Sequence, residues 1–191
     1  TTLLLEHKLI HGGATMYAFI VNPNSRSGLG LKIWSELEQV LKKNEIDYQV
    51  YFTKRPRHAT ELAAQVSDSG ADTLVVLGGD GTIGEVVGGI RDLTKLTLAY
   101  IPIGSGNDFA RSMKLTKEPK EALLHILNPT GYAYINIGLL KTPNVSRRYA
   151  VSSGIGFDAD VCYHNNLSSR LKRFLNKCKL GKLSYTAIAL H

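Results

Sequence analysis

A glycine-rich strand-to-helix turn is the feature of this sequence that most restricts its fold. Residues 77–90 read LGGDGTIGEVVGGI. The β-branched run TLVVL leads into the turn, and the apolar residues after it have helical spacing: Ile83, Val86, Val87 and Ile90. Glycine lets backbone N–H groups approach a ligand, and the following helix directs its positive end to the same point. The segment therefore predicts an anion site that contains one carboxylate, Asp80.

The chemistry of Asp80 has two interpretations. A carboxylate beside phosphate groups is repelled unless a cation or a hydroxyl group lies between them. Asp80 is therefore interpreted as part of a site for a metal-bound nucleotide or a sugar. The structural alternative is a tight turn in which Asp80 helps to cap the helix that begins near Thr82.

Strand-like and helix-like segments alternate along the first two thirds of the chain. Strand-like runs lie at residues 17–21, 48–52, 73–77 and 98–101, and apolar residues at helical spacing follow each run. This order predicts a parallel sheet covered by helices. After Gly131, two strand-like runs flank a Thr-Pro-Asn turn and predict the start of an antiparallel unit. We therefore predict an α/β domain over residues 16–131 and an incomplete second domain over 132–191, with residues 1–15 as a tag or an upstream extension.

Polar turns follow three of the predicted strands. They are NPNSRSGLG at 22–30, GGDGT at 78–82 and GSGNDF at 104–109. In parallel sheets, binding residues gather at the carboxyl ends of the strands. We therefore expect the side chains of four residues to converge at one edge of the sheet: Asn22, Asp80, Asn107 and Asp108. The alternative is that each of these residues serves only its own turn or helix cap.

The net charge of +7 is concentrated near the end of the chain. Residues 161–191 contain six basic and no acidic side chains, and their apolar residues at helical spacing are Leu167, Leu171, Phe174, Leu175 and Cys178. This pattern predicts a cationic amphipathic helix, which we hypothesise docks on an anionic lipid surface. The alternative is a helix that packs on its own protein. Because no aromatic residues alternate with the charges as in a base-stacking surface, nucleic acid is not an expected partner.

Composition also restricts the compartment. The apolar runs are far shorter than the roughly 20 residues that a membrane-spanning helix needs. The chain has two cysteines, Cys162 and Cys178, and they lack the spacing of a redox or metal motif. So few cysteines without such a motif are typical of a protein in a reducing compartment. We therefore expect a cytoplasmic protein with transient peripheral membrane association.

Six motifs, in this order and at this spacing, resemble the diacylglycerol kinase catalytic-domain family of lipid kinases: NPNSRSGLGLKIW, FTKRPRHATELA, LGGDGTIGEVV, PIGSGNDFAR, SSGIGFDADV and GKLSYTAIAL. This family includes bacterial diacylglycerol and phosphatidylglycerol kinases and eukaryotic sphingosine and ceramide kinases. NAD kinases share a GGDGT turn, and GNDFAR and GFDA are the segments that distinguish the lipid kinases. The resemblance implies a nucleotide-binding α/β domain of the NAD-kinase and diacylglycerol-kinase type, followed by a β-sandwich.

The resemblance also implies the roles of individual residues. It implies ATP contacts from Asn22, Ser25, Arg26, Thr53, Gly79, Asp80, Gly81, Thr82, Ile83, Gly84, Glu85 and Ser105. Carboxylate chemistry agrees with a role of Asp80 in catalysis, because Asp80 can bind Mg²⁺ directly or through water. From their place at the same edge, Asn107 and Asp108 are expected to line the substrate cleft. Three positions depart from the usual motif, with Arg26 in place of Gly, Gly84 in place of Asn and Ser105 in place of Thr. The general base and further metal ligands are expected beyond His191.

These observations predict an ATP-dependent lipid kinase that uses Mg²⁺. The leading acceptor is diacylglycerol, which would give phosphatidic acid. One alternative is a phosphotransferase of the NAD kinase type, and another is a nucleotide-binding module without complete catalytic machinery. The expected partner is a lipid at a membrane surface, and a homodimer is an open alternative.

Overall fold

The structure is a computed structural model that describes residues 15–152. Three sequence predictions lie outside this range. They are the tag or extension, whose residues 1–14 precede it, the amphipathic helix within 161–191, and the β-sandwich continuing beyond residue 152. The motifs SSGIGFDADV and GKLSYTAIAL extend past the same limit.

Six strands and six helices form the described part of the chain. The strands are β1 Tyr17–Val21, β2 Tyr48–Phe52, β3 Thr73–Gly78, β4 Thr97–Pro102, β5 Gly138–Lys141 and β6 Ser146–Tyr149. The helices are α1 Ser25–Gly28, α2 Gly30–Lys43, α3 His58–Ser67, α4 Asp80–Gly89, α5 Asp108–Ser112 and α6 Pro119–Leu127. The predicted alternation over residues 17–127 is confirmed.

Two details of the sequence prediction are wrong. The short helix α5 occupies the end of a segment that was predicted as a turn, whereas the left-handed backbone of Arg26 and Ser27 interrupts α1, so that segment is a turn as predicted. The strand-like run at 132–140 is a strand only from Gly138 onward, because its ladder begins at the pair Gly138 and Tyr149. The predicted antiparallel hairpin itself is confirmed, and its turn is closed by a hydrogen bond from the Thr142 N–H to the Val145 carbonyl, 2.8 Å long.

The first four strands form one parallel sheet in the order β2-β1-β3-β4. The chain runs outward from β1 to β2 and then crosses back to β3, so the direction of winding reverses between β1 and β3. Such a reversal opens a crevice at the carboxyl edge of the sheet. The strands end level there, because Val21 pairs with both Phe52 and Leu77, and Leu77 pairs with Ile101.

The sheet is covered on both faces, which explains why β1 and β3 read as continuous apolar runs. Every residue of these two strands is buried. One face packs on α3, α4 and α5 through residues such as Ile20, Leu62 and Ile83. The other face packs on α2 and α6, where Trp34 lies against Phe19 with ring centroids 5.1 Å apart.

Helices α3 and α4 touch through their backbones at one glycine, and this contact gives a paired prediction. A Cβ atom on Gly89 would lie 2.1 Å from the Thr60 carbonyl oxygen, whereas a Cβ atom on the neighbouring Gly88 meets nothing within 4 Å. Gly89→Ala is expected to lower the free energy of unfolding by about 1–3 kcal/mol, because the helices must separate. Gly88→Ala is expected to raise it by about 0.5–1 kcal/mol through better helix propensity. Urea unfolding measures both, and equal values would contradict the contact.

Candidate functional site

Three polar turns meet at the carboxyl edge of the sheet. The closest approach is between Gly79, which precedes α4, and Gly104, which follows β4. A Cβ atom on Gly104 would lie 2.6 Å from the Cα atom of Gly79, so Gly104 has no space for a side chain, and a Cβ atom on Gly79 would lie 3.1 Å from the Cα atom of Gly104, a tight contact. The two glycines therefore let the GGDGT and GSGNDF turns pack directly on each other.

Asp80 links these two turns through its carboxylate. Its Oδ2 atom accepts a hydrogen bond from the Asp108 N–H at 3.0 Å, and its Oδ1 atom accepts one from the Phe109 N–H at 3.1 Å. These donors belong to the first turn of α5, which has no side-chain cap from its own Asn107. The alternative in which Asp80 caps its own helix is therefore wrong. Asp80 lies in the first turn of α4, but its carboxylate caps α5.

Asn107 does not cap α5 because its side chain holds the preceding turn. Its Oδ1 atom accepts from the Gly104 N–H at 2.8 Å, and its Nδ2 atom donates to the Gly104 carbonyl at 3.0 Å. The Asn107 backbone is left-handed, with φ of 53°. Asparagine tolerates this conformation better than most residues because its short polar side chain can bond locally. The Gly104–Asn107 turn is thus closed by a single amide side chain.

The turn after β1 is joined to α4 by Asn22. Its Nδ2 atom donates to the buried Thr82 hydroxyl at 3.1 Å, and its Oδ1 atom accepts from the Asn24 N–H at 3.0 Å. Asn22 also donates its backbone N–H to the Leu77 carbonyl at 2.9 Å. The side chain that was expected at the nucleotide edge therefore also fixes the turn to the helix beside it.

Three successive residues of the first turn are left-handed. Arg26, Ser27 and Gly28 have φ values of 52°, 60° and 94°. A residue with a Cβ atom is strained by roughly 1–2 kcal/mol in this conformation, whereas glycine is not. Glycine, which the family resemblance implies at the position of Arg26, would not carry this strain. The Arg26 side chain is exposed at the edge, and Ser25 precedes it at the start of α1.

The remaining predicted residues occupy different environments. Thr53 is buried at the end of β2 and donates its N–H to the Val21 carbonyl at 2.9 Å. Gly81 and Ser105 are exposed at the edge. Ile83 lies fully in the core, so its side chain is not available to a ligand. The carboxylate of Glu85 contacts the start of α3.

A cleft of about 480 Å³ opens beside Asp80. Asp80, Gly84 and Asp108 line it from the α/β domain, and residues 149–152 line it from the end of the hairpin. Arg148 ties the hairpin to this domain by donating to the Ile90 carbonyl at the end of α4. Sequence reasoning did not identify residues 149–152 as cleft residues, because the packing of β6 on α4 has no local sequence signal.

Tyr100 supports the glycine turn from inside the sheet, and sequence reasoning did not identify it either. Its buried hydroxyl group donates to the Gly78 carbonyl at 3.2 Å, and its ring packs on Phe109 with centroids 5.8 Å apart. Burial raises the pKa of the Tyr100 hydroxyl well above its ordinary value, and the negative charge of Asp80 adds to this effect. Tyr100 therefore remains a neutral hydrogen-bond donor.

The residues at the edge fit a metal-assisted phosphate site through Asp80. Mg²⁺ is commonly held by one or two carboxylates together with substrate phosphates, and each carboxylate oxygen has a second lone pair beyond one hydrogen bond. A Cβ atom on Gly106 would lie 3.2 Å from Asp80 Oδ2 and 3.8 Å from Asp108 Oδ1, so the two carboxylates flank one glycine. Arg111 forms an ion pair with Asp108. Within residues 15–152, no cluster of three His, Cys, Asp or Glu side chains forms a metal site alone.

The helices of residues 15–152 include none that is long and apolar enough to cross a bilayer.

This chain belongs to the diacylglycerol kinase catalytic domain family, whose profile matches residues 16–133. It is 31% identical over 179 residues to YtlR of Bacillus subtilis strain 168, whose name places it among the lipid kinases; the match covers 91% of this chain and 58% of YtlR. It is 30% identical over 158 residues to a diacylglycerol kinase of Staphylococcus carnosus strain TM300, covering 82% of this chain and 49% of that protein.

A solved structure shares the fold. The crystal structure of a diacylglycerol kinase from Bacillus anthracis strain Sterne superposes with a TM-score of 0.52 at 28% sequence identity, covering 60% of this chain and 39% of that one. The predicted family and the predicted α/β fold of the described domain are thus confirmed. The match with this chain spans about half the length of YtlR and of the Staphylococcus carnosus enzyme.

Proposed function

We propose that this chain carries the nucleotide-binding domain, over residues 16–131, and the beginning of a β-sandwich domain, from residue 132, of an ATP-dependent lipid kinase. The reaction is transfer of the γ-phosphate of ATP to a lipid hydroxyl group, with diacylglycerol as acceptor and phosphatidic acid as product. The observation that carries this proposal is the direct packing of the GGDGT and GSGNDF turns, with Asp80 between them at the mouth of the cleft.

The residues of the edge have separable tasks in this proposal. The start of α4 and the turns that hold Asn22, Arg26 and Thr53 bind the nucleotide, because helix N-termini and left-handed turns direct backbone donors at phosphate. Bound Mg²⁺ would neutralise charge on the phosphates. Asp80 would hold this ion, and Ser105 would add a hydroxyl contact. Asp108 would face the lipid across the cleft, and the general base would come from beyond His191.

The choice of acceptor is tested on the full-length enzyme. Radiolabelled ATP is supplied with micelles that contain diacylglycerol, phosphatidylglycerol or sphingosine, and with NAD in a separate reaction. We expect transfer to diacylglycerol to be fastest. Faster transfer to another lipid would keep the lipid kinase activity and change only its acceptor. Transfer to NAD and to no lipid would overturn the proposal.

The proposed positions of the nucleotide site and the general base along the chain give a further prediction. The polypeptide 1–191 is expected to bind Mg·ATP in calorimetry, because the turns that face the phosphates lie within it. We expect it to phosphorylate diacylglycerol very slowly, because the proposed base lies outside it. Robust phosphorylation by residues 1–191 would show that the base has been misplaced.

A further inference from the structure

We propose that Glu85 is a positioning residue, which holds the turn at residues 53–57 against the nucleotide edge by capping α3. The family resemblance implied instead that Glu85 contacts the nucleotide itself. This inference deepens the proposed function and rests on it, because the importance of the turn depends on ATP binding at this edge.

The contacts of the Glu85 carboxylate are those of a helix cap supplied by another helix. Its Oε1 atom accepts from the Arg57 N–H at 3.0 Å, and its Oε2 atom accepts from the Ala59 N–H at 3.3 Å. The residue at the cap position of α3 is Arg57 itself, which makes no side-chain cap. Arginine offers only donors, so it cannot accept from these N–H groups. The acceptor that α3 lacks is supplied from α4.

Other contacts fix the two helices without this carboxylate. The Thr60 hydroxyl donates to the Glu85 backbone carbonyl at 3.0 Å, and the backbones touch at Gly89 and Thr60. Loss of the carboxylate therefore loosens the Arg57 end of the turn while α3 stays packed on α4. The other end keeps the bond from the Lys54 N–H to His58 Nδ1, 3.1 Å long, and the Arg55–Glu61 ion pair. This separates a positioning role from a contribution to stability alone.

The turn at 53–57 is one of those that border the nucleotide edge. It begins at Thr53, whose N–H bonds the last residue of β1, and it continues through three exposed cations, Lys54, Arg55 and Arg57. Arg55 pairs with Glu61 at 2.7 Å, whereas Lys54 and Arg57 form no ion pair within residues 15–152. A turn that carries two such cations beside a phosphate site favours an anionic ligand, provided that its backbone is held in place.

Asp80 and Glu85 thus act in parallel from one helix. Asp80 caps α5 and Glu85 caps α3, so α4 sets the positions of the turns on both of its sides. A nucleotide at the start of α4 would meet two turns whose spacing is fixed by the same ten-residue helix.

The test is Glu85→Gln in the full-length enzyme, because glutamine keeps the size but offers only one acceptor oxygen. Amide hydrogen exchange at Arg57 and Ala59 in the nucleotide-free protein is expected to accelerate about tenfold, the scale of one charge-assisted hydrogen bond. The KM for ATP is expected to rise by about the same factor, with kcat changed less than about threefold. Both 2′-deoxy-ATP and 3′-deoxy-ATP are expected to show the same factor as ATP.

Two further variants complete the test. Glu36→Gln makes the same change at an exposed position of α2, on the opposite face of the sheet, and it is expected to leave both exchange and KM unchanged. Glu85→Asp keeps the charge but shortens the reach, so it is expected to behave as Glu85→Gln does, and it serves if the glutamine variant fails to fold.

The outcomes are distinct. Unchanged exchange at Arg57 and Ala59 would overturn the proposal, and a KM change that differs between ATP and the deoxynucleotides would assign Glu85 to the ribose instead. If the parent enzyme neither binds nor uses ATP, the proposed function fails, while the exchange measurement still decides whether Glu85 holds the turn.

Discussion

Replacement of Asp80 by asparagine is expected to lower the rate of phosphate transfer by the full-length enzyme roughly 10²-fold or more, the scale of losing one preorganised electrostatic contact with the transition state. Asparagine also has only one acceptor oxygen, so either Asp108 or Phe109 would present its N–H to an amide NH₂ group. We therefore expect a simultaneous loss of about 1–3 kcal/mol in the free energy of unfolding. Steady-state kinetics and urea unfolding measure the two effects.

The control must separate these effects. Leu41→Ala, near the end of α2 on the opposite face of the sheet, is expected to destabilise the protein at least as much, by about 2–5 kcal/mol, at a contact remote from the edge. A large loss of rate in Asp80→Asn, together with near-normal rate in Leu41→Ala, would assign the loss to the charge of Asp80. An unchanged rate in Asp80→Asn would leave Asp80 as the cap of α5 only.

Replacement of Gly104 by alanine is expected to disable the site by a steric route. The new methyl group would lie 2.6 Å from the Gly79 Cα atom and 2.7 Å from Asn107 Oδ1, so the two turns must move apart. Because a displacement on the order of 1 Å can cost about 10²-fold in rate, we expect a loss of that size in phosphate transfer. The free energy of unfolding is expected to fall by about 1–3 kcal/mol.

Gly88→Ala is the matched control for this variant. It adds the same methyl group on α4 where nothing lies within 4 Å, and it is expected to retain normal activity. Normal activity in Gly104→Ala, with a crystal structure in which the two turns have moved apart, would show that their close contact is not needed.

Most of the fold could be predicted from the sequence because the signals are local. Each strand of the parallel sheet is an apolar run, and each long helix has a periodic apolar face, so the order of elements follows without tertiary information. The meeting of three turns also follows, because all parallel strands with level ends deliver their loops to one edge.

The roles of the two carboxylates could not be predicted in the same way. Whether Asp80 caps its own helix or α5 depends on how close α5 lies, and that distance is set by the contact of Gly79 with Gly104. Glu85 likewise reaches α3 only because the two helices touch at Gly89. The left-handed backbone of Arg57 gives no signal in the sequence, because arginine is not a residue that favours that conformation.

The aromatic side chains that pack between α2 and the sheet include a fluorescent probe of folding. Trp34 is the single tryptophan of these 191 residues, and it is buried between Phe19, Tyr48 and Phe52. Its fluorescence should shift toward the red when these side chains become exposed to water. Because Trp34 lies on the face of the sheet opposite α3 and α4, its emission reports loss of its own face of the sheet rather than local movement of α3 and α4. A variant that alters ligand binding while leaving this emission spectrum unchanged has therefore kept that face of the domain intact.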